Sequence, residues 1–208
     1  MIRIWGRSSS SNVMKVLWLL DELGLDFERI DVGGPFGGTH TPEYLAMNPA
    51  GLVPTLEEDA FSLFESNAIL RYLGSEYASD SNWYPATSRL RAHTDAWLDL
   101  QQTLLTGPLN RVFIGLVRTP SEKRDPAAIA AAALETGRVW TIVEAGLAGC
   151  EFLGGAQPSI ADVAFGPSLH RWFMLPIDRP ELPMLRAWYD RLLTRPAYAK
   201  HCAQPLSP

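Results

Sequence analysis

The chain has 208 residues, of which 47% are hydrophobic and 20% are charged, and its formal net charge at pH 7 is -5. The length allows one large hydrophobic core or two smaller ones, and the composition is that of a globular protein rather than of a disordered one. Because the chain is acidic and has no run of lysines or arginines, nucleic-acid binding is not expected.

The sequence shows no clear pattern for membrane targeting or for metal binding. No uncharged run reaches the roughly 18 residues that cross a bilayer, and no apolar stretch of signal-peptide length follows Arg3 and Arg7. We therefore expect a cytoplasmic protein that does not bind membranes. Cys150 and Cys202 are far apart, and the histidines show no metal-binding spacing, so neither a disulfide nor a metal site is expected.

Residues 1–78 mix strand-like and helix-like patterns. IRIW at 2–5 predicts a strand, and the apolar spacing that follows predicts a helix that begins near Asn12 and ends at Gly24. FERIDV at 27–32 alternates apolar and polar residues, as a half-buried strand does. Together these elements predict a βαβ unit with a parallel pair of strands.

A loop, a hairpin and a helix follow. GGPFGGTHTP at 33–42 lacks the GxGxxG spacing and the lysine of a phosphate-binding loop, and we interpret it as a flexible connection. Two apolar runs, 52–56 and 61–64, joined by EEDA, predict a hairpin, in which Pro54 is a candidate cis-proline. Ser66 is positioned to cap the next helix.

Strand patterns disappear after 79–88, a polar and turn-rich stretch that we interpret as a linker. The later segments have helical apolar spacing and are separated by prolines. The predicted helices include 126–148, 159–174 and 181–195. The sequence therefore predicts an α/β domain over 1–78 and an all-helical domain over 89–208.

Three segments carry a resemblance to a known family. ELGLDFERIDV (22–32), NPAGLVPTLEEDAFSLFESNAILRYL (48–73) and SIADVAFGP (159–167) resemble segments of the cytosolic glutathione S-transferase superfamily, in particular its bacterial serine-type (theta, beta or nu-like) members. The resemblance implies a thioredoxin-like N-terminal domain of order βαβ-α-ββα followed by an all-α domain. Ser159 and Asp162 also predict a capping box with a structural role.

The same resemblance implies glutathione as co-substrate, an apolar small-molecule electrophile as second substrate, and a homodimer. Val53, followed by a cis Pro54, would pair its backbone with the cysteinyl part of glutathione, as an added strand does. Glu65 and Ser66 resemble the pair that binds the γ-glutamyl end, with Ser66 at a helix N-terminus that favours an anion.

Two further sets of residues are assigned by position in the family. Thr39 and His40 lie where related enzymes contact the glycyl carboxylate, although a solvated loop histidine is the alternative. Residues of the helical half are candidates for the second-substrate pocket, although aromatic residues at helical spacing more often belong to the core. These candidates are Trp97, Arg111, Phe113, Trp172 and Phe173.

The serines before the first helix are candidates for activating the thiol. A hydroxyl at the positive end of a helix favours thiolate and lowers a thiol pKa that is about 8.5 when free. By similarity to serine-type relatives, counted from Lys15, Ser11 is the first candidate, Asn12 the second and Ser10 the third. The loop has no cysteine and no tyrosine, which separates the chain from the omega and tyrosine-type classes.

The resemblance therefore favours a glutathione S-transferase, and two alternatives stay open. If Asn12 contacts the sulfur, a glutathione-dependent peroxidase or disulfide reductase is favoured, because some bacterial relatives act in that way. The fold also serves as a non-catalytic binding module in some relatives. The intact glutathione-site pattern argues against that last alternative.

Overall fold

The computed structural model describes residues 1–79, here called the sheet region, and 81–206, the helical region. The strands are β1 (Ile2–Trp5), β2 (Phe27–Ile30), β3 (Thr55–Glu58) and β4 (Phe61–Phe64), and the first helices are α1 (Ser11–Glu22), α2 (Pro42–Met47) and α3 (Ser66–Tyr77). The later helices are α4 (Ser88–Leu100), α5 (Thr106–Phe113), α6 (Pro126–Gly146), α7 (Ile160–Met174), α8 (Pro183–Leu193) and α9 (Pro196–His201). This order confirms the predicted thioredoxin-like arrangement followed by helices.

The sheet has the strand order β2-β1-β3-β4. β1 pairs in parallel with β2, as the βαβ pattern predicts, and antiparallel with β3, which pairs with β4 in the predicted hairpin. The sequence predicts the first hairpin strand over 52–56, but β3 begins at Thr55, because Pro54 has no N–H for a ladder. Trp5 lies opposite both Ile30 and Thr55, so three strands meet at this end of β1.

α1 joins the sheet region to the helical region. Residues 15–20 of this helix are all buried, because it packs against α3 on one side and against α7 and α9 on the other. The indole of Trp18 lies on the backbone of α7, where a Cβ at Gly166 would be 2.3 Å from a ring carbon. Gly24, with φ +65°, follows the helix and is the stop that the sequence predicts. Buried apolar side chains of both regions form one continuous cluster.

Two π-helical turns interrupt the long helical stretch that begins with α4. The first, Gln101–Leu105, precedes Pro108, whose ring would clash with the carbonyl of Leu104 in a regular α-helix. The wider turn removes this clash and leaves Gln101 buried. The second turn, Ile114–Arg118, ends the stretch. Such turns are frequent at functional sites, and each supplies a side chain to the arrangements described below.

A buried polar cluster fixes the start of α7. Ser159 and Asp162 form the predicted capping box, in which the Asp162 carboxylate accepts the N–H of Ser159 at 2.8 Å. This fully buried carboxylate also accepts the N–H of Leu153 at 2.8 Å and the indole N–H of Trp188 at 3.0 Å. Burial raises the pKa of the Asp162 carboxyl, and these hydrogen bonds oppose the shift. The capping box is therefore confirmed, as a link between α7 and α8.

Membrane-spanning and metal-binding features are not found in the described residues. Across 1–79 and 81–206, no helix is both long and apolar enough to cross a bilayer, and no group of three or more His, Cys, Asp or Glu side chains could hold a metal ion. Cys150 is an exposed free thiol and Cys202 a buried one. Burial raises the pKa of the Cys202 thiol well above its ordinary value, so this thiol stays protonated.

Candidate functional site

The first turn of α1 presents polar groups without partners at the carboxyl end of β1. Ser10 is the N-cap, in an extended conformation, and its side chain makes no capping hydrogen bond. The helix begins at Ser11, one residue before the predicted start near Asn12. Within the described residues, the N–H groups of Ser11, Asn12 and Val13 make no backbone hydrogen bond. The helix end therefore offers free donors and a positive dipole end to a ligand.

The loop before β3 lies beside this turn. The Val53–Pro54 peptide bond is cis, as predicted, and the N–H and C=O of Val53 make no backbone hydrogen bond to described residues. A Cβ at Gly6 would lie 2.5 Å from Cγ2 of Val13 and 3.3 Å from Cβ of Val53. The absence of a side chain at Gly6 thus lets the loop and the helix approach each other, and the Val53 backbone is free to pair with an extended ligand.

Asn48 and Tyr44, which the sequence pattern does not assign to the site, hold this loop. The Asn48 side chain donates to the C=O of Leu52 at 2.8 Å and to Oγ1 of Thr55 at 3.0 Å. It also accepts the N–H of Ala50 at 3.1 Å. The Tyr44 hydroxyl donates to the same Leu52 carbonyl at 2.6 Å. These bonds fix the backbone between Leu52 and Thr55, where the free ladder groups lie.

We expect Asn48→Ala to lower the free energy of unfolding by about 2 kcal/mol, because three hydrogen bonds are lost and buried groups lose a partner. Urea unfolding followed by tryptophan fluorescence measures this change. Asn82, an exposed residue of the loop before α4, provides a matched control, and Asn82→Ala should leave stability unchanged. Equal effects of the two substitutions would contradict the loop-holding role of Asn48.

The start of α3 combines a strained residue with a buried hydroxyl. Glu65 precedes the helix with φ +68° and ψ +113°, and it is exposed. Non-glycine residues seldom adopt such a φ, and residues in strained conformations cluster at ligand-binding positions. Ser66, the first residue of α3, is 3% exposed, and its hydroxyl accepts a hydrogen bond from Nζ of Lys15 at 3.4 Å. The start of α3 is thereby tied to α1, about one turn from Ser11.

Lys15 is a buried cation shared by both regions of the chain. Besides the hydroxyl just described, its Nζ donates to Oδ1 of Asn67 at 3.3 Å and to Oε1 of Gln101 at 2.9 Å. Burial lowers the pKa of Lys15 to about 7, the negative charge of Glu65 opposes this shift, and the positive charge of Arg171 adds to it. In the sequence, Lys15 serves only as the reference position from which Ser11 is assigned. Its partner Gln101 comes from the helical region, which no local pattern reveals.

Thr39 and His40 lie against the cis-proline loop. The His40 ring lies over Gly51, where a Cβ would be 2.7 Å from the ring carbon Cε1. A Cβ at Gly33 would be 3.5 Å from Cγ2 of Thr39 and 3.1 Å from Cγ1 of Val53. His40 is exposed and Thr39 is half-buried. The fold therefore brings both predicted residues to the edge of the loop that carries the free Val53 backbone.

Among the residues predicted for the second-substrate pocket, Phe113 lies beside residues 7–10, the loop before α1 that we call the serine loop. Phe113 lines a small cavity together with Ser9. The aromatic residues that pack instead against other rings of the helical region are Trp97, Trp172 and Phe173. Arg111 is exposed and forms an ion pair with a glutamate of α6. Helical spacing marks the packed side of a helix, and at these four positions that side faces the core or α6, so their assignment to the second-substrate pocket stays a prediction.

A large cavity among the described residues lies elsewhere. Its volume is about 690 Å³, and it lies between α6, Leu116 and the segment 176–180. Its wall is mainly apolar, and none of the predicted site residues lines it. Cavity size alone therefore does not identify the place where the cis-proline loop and the two helix starts meet.

Comparisons with known proteins cover the whole chain. Residues 1–75 match the family described as glutathione S-transferase, N-terminal domain, and residues 126–191 match glutathione S-transferase, C-terminal domain. The chain is 39% identical to glutathione S-transferase GstB of Escherichia coli K12, with all of both chains covered. It is 32% identical to glutathione S-transferase 3 of Zea mays, with all of this chain and 96% of that protein covered. A crystal structure of a theta class glutathione S-transferase from Xanthomonas axonopodis pv. citri with glutathione bound is 45% identical, with a TM-score of 0.94 and 99% of each chain covered.

Proposed function

This chain belongs to the glutathione S-transferase family, and we propose that it joins glutathione to a small electrophile through attack by the glutathione thiolate. The observation that carries the proposal is the convergence of the cis-proline loop with the first turns of α1 and α3. Glutathione has an extended backbone, two carboxylates, an ammonium group and a thiol. The converging elements offer a partner for each of these groups.

In this proposal glutathione lies along the cis-proline loop. The cysteinyl N–H and C=O pair with the free C=O and N–H of Val53, as in an added strand. The γ-glutamyl carboxylate accepts hydrogen bonds from the hydroxyl and N–H of Ser66, where the helix dipole and the Lys15 ammonium favour an anion. The ammonium group faces the exposed carboxylate of Glu65. The residues proposed for the glycyl carboxylate are Thr39 and His40.

The glutathione sulfur then lies at the first turn of α1. A hydroxyl donor, free N–H groups and the helix dipole favour thiolate there, which lowers the thiol pKa below its free value of about 8.5. The resemblance, counted from Lys15, ranks Ser11 first. Since α1 begins at Ser11 and Ser10 is an N-cap with an unused hydroxyl, we rank Ser10 ahead of Ser11 and Asn12.

Conjugation itself needs little further chemistry from the protein. The thiol proton goes to solvent, the thiolate sulfur forms a bond to the electrophilic carbon, and the leaving group departs with the electron pair of the broken bond. The protein contributes the thiolate and holds the two reactants in contact. Phe113 lines the small cavity beside Ser9, on the side of the helical region from which the electrophile approaches.

Thermal unfolding and turnover test this function. At a glutathione concentration of about ten times Kd, the free energy of unfolding should rise by about 1.4 kcal/mol, with a rise in Tm of a few degrees. An aryl halide should be conjugated, and side-by-side assays with an organic hydroperoxide and a mixed disulfide separate the alternatives. Reduction without conjugation would favour a peroxidase or disulfide reductase. Binding without any turnover would favour a non-catalytic binding protein.

Glu65→Gly should separate the strain of this residue from its proposed contact. Glycine adopts φ +68° without strain, so stability should rise by up to about 1 kcal/mol, whereas the KM for glutathione should rise about tenfold with the loss of the carboxylate. Asp59, the other non-glycine residue with positive φ among those the structure describes, lies in the β3–β4 turn. Asp59→Gly should raise stability by a similar amount and leave KM unchanged. An unchanged KM in Glu65→Gly would refute the ammonium contact.

Domain division, assembly and location are proposed from the resemblance. We propose domains at 1–78 and 89–208, a homodimer and a cytoplasmic location. The homodimer is supported by exposed apolar side chains on the edge strand β4 and on the helical stretch that begins with α4, since such surfaces are usually covered. These side chains are Phe61, Phe64, Leu90 and Leu104.

A further inference from the structure

Three guanidinium groups gather beside the first turn of α1. Arg171 extends from α7 and stacks on Phe113, with its Cζ 4.0 Å from the ring centroid. Arg118, at the end of the second π-helical turn, lies over the same ring at 5.3 Å. Arg7, in the loop after β1, lies along the backbone at Gly34, where a Cβ would be 3.1 Å from its Nε. These three arginines, here called the arginine cluster, come from separate parts of the sequence.

The arginine cluster has no carboxylate partner among residues 1–79 and 81–206. Arg171 is only 8% exposed, and its hydrogen bond is to the amide oxygen of Asn110 at 3.4 Å. Neither Arg7 nor Arg118 forms an ion pair with a described residue. By contrast, the half-buried Arg195 pairs with a glutamate of α1 at 2.6 Å. Because burying a guanidinium is costly unless a negative group lies beside it, the cluster is prepared for an anion that the chain itself does not supply.

The charges of the cluster act on one another. Burial, and then the positive charges of Arg118 and Arg7, lower the pKa of Arg171 to about 10. Burial and the charge of Arg118 likewise lower the pKa of Arg7. A bound anion would relieve this repulsion, and it would also be held near Lys15, whose pKa is lowered in part by Arg171.

The cluster adjoins the thiol position from the side of the helical region. Arg171 and Phe113 line a cavity of about 20 Å³ with Ser9, next to the proposed donor Ser10. That volume corresponds to about one water-sized group, so the cavity shows that Arg171 adjoins the serine loop but does not itself hold a substrate. Arg171 and Arg118 belong to the helical region, whereas the residues proposed for glutathione all belong to the sheet region.

We infer that the second substrate carries a carboxylate, which Arg171 and Arg118 bind, with Arg7 adding positive charge. This inference rests on the proposed transferase function and replaces the wholly apolar electrophile that the resemblance implies. A carboxylate matches the paired N–H donors of a guanidinium group, and the stacking of Arg171 on Phe113 holds that guanidinium in place. The arginine cluster is thus a determinant of substrate choice, separate from the groups that bind glutathione.

Two matched aryl halides test the inference, 4-chloro-3,5-dinitrobenzoate and its methyl ester. In both, the thiolate sulfur bonds to the ring carbon that bears chlorine, and chloride leaves with the electron pair of the broken bond. The enzymatic kcat/KM for each is divided by its uncatalysed rate constant with glutathione at the same pH. For the wild type, this normalised kcat/KM should be at least about tenfold higher for the carboxylate than for the ester, which gives a carboxylate-to-ester ratio of about ten or more.

Arg118→Gln and Arg171→Gln should each lower this ratio about tenfold, with the KM for glutathione unchanged and activity toward the ester retained. Arg118 is exposed, so its variant is expected to fold even if the Arg171 variant does not. Arg89→Gln is the control, because Arg89 is an exposed arginine of α4 whose loss changes the net charge equally. Its ratio should equal that of the wild type.

Three results would overturn the inference. A wild type that prefers the ester, or a ratio that survives both arginine substitutions, would show that the cluster does not select the electrophile. A raised KM for glutathione with an unchanged ratio would show that the cluster binds the glycyl carboxylate instead. Failure to bind glutathione or to conjugate either compound would instead remove the proposed function itself, which these three results leave intact.

Discussion

Ser10→Ala is expected to lower kcat/KM for conjugation by about 10²-fold at neutral pH, the usual cost of removing one preorganised donor to a negative charge. Because the Ser10 side chain makes no capping bond in the free protein, the free energy of unfolding should change by less than about 0.5 kcal/mol. The pKa of bound glutathione, measured from thiolate absorbance against pH, should rise toward about 8.5. At higher pH the variant should approach wild-type activity, since the glutathione thiol then loses its proton to solvent without the serine hydroxyl.

Ser11→Ala and Asn12→Ala are the matched comparisons, because these side chains begin the same helix. Each should lower kcat/KM by less than about tenfold, which corresponds to about 1.4 kcal/mol of transition-state stabilisation. A larger decrease in kcat/KM in either variant would show that this residue is the donor and would refute the assignment of Ser10. Retention of activity and of a low thiol pKa in all three variants would leave the backbone N–H groups as the source of stabilisation.

Lys15→Met is expected to change how stability depends on pH. Lys15 has a pKa of about 7 in the folded protein against an ordinary value of 10.5. Between these values the unfolded chain holds a proton that the folded protein has released, so the lysine's contribution to the free energy of unfolding rises with pH, by about 1.4 kcal/mol per unit. This contribution of Lys15 to the free energy of unfolding is fully present above pH 10.5 and is lost as the pH falls to about 7.

The wild type should therefore gain about 2–3 kcal/mol relative to Lys15→Met between about pH 6.5 and about pH 9. Urea unfolding curves of both proteins across this range measure the difference, in which the titrations of all other groups cancel. Lys123→Met is the control, since Lys123 is exposed and its loss should leave the difference from wild type independent of pH. A flat difference for Lys15→Met as well would show that Lys15 keeps its proton throughout this range.

Local patterns predict most of the sheet region. The parallel strand β2, the stop at Gly24 and the pairing of β3 with β4 depend on residues close together in sequence and are confirmed. The predicted bounds are less accurate, because β2 ends at Ile30 rather than at 32 and β3 begins at Thr55 rather than at 52. The position of Pro54 inside an apolar run makes it a candidate cis-proline, but sequence spacing alone does not distinguish it from an ordinary edge-strand proline. The family resemblance favours the cis bond, which the structure confirms.

The sequence does not predict interactions between distant segments. Gln101 reaches Lys15 from a π-helical turn, and Arg171 reaches Phe113 from another helix. Arg111 is a predicted residue of the second-substrate pocket, yet in the structure it is exposed and forms an ion pair with Glu135. In each case the partner is set by how helices cross, and apolar spacing along one helix reports only that a side is buried.

Because α1 is buried on two sides, the two halves of this fold are difficult to exchange between relatives. One side of the helix lies on α3 and the other on α7 and α9, with Trp18 set against Gly166. A chimera that takes the glutathione-binding half from this chain and the helices from a relative must match that contact, or it exposes the indole and part of the shared core. New substrate ranges are therefore reached more readily by substitutions around Phe113 and Arg118 than by exchange of whole halves.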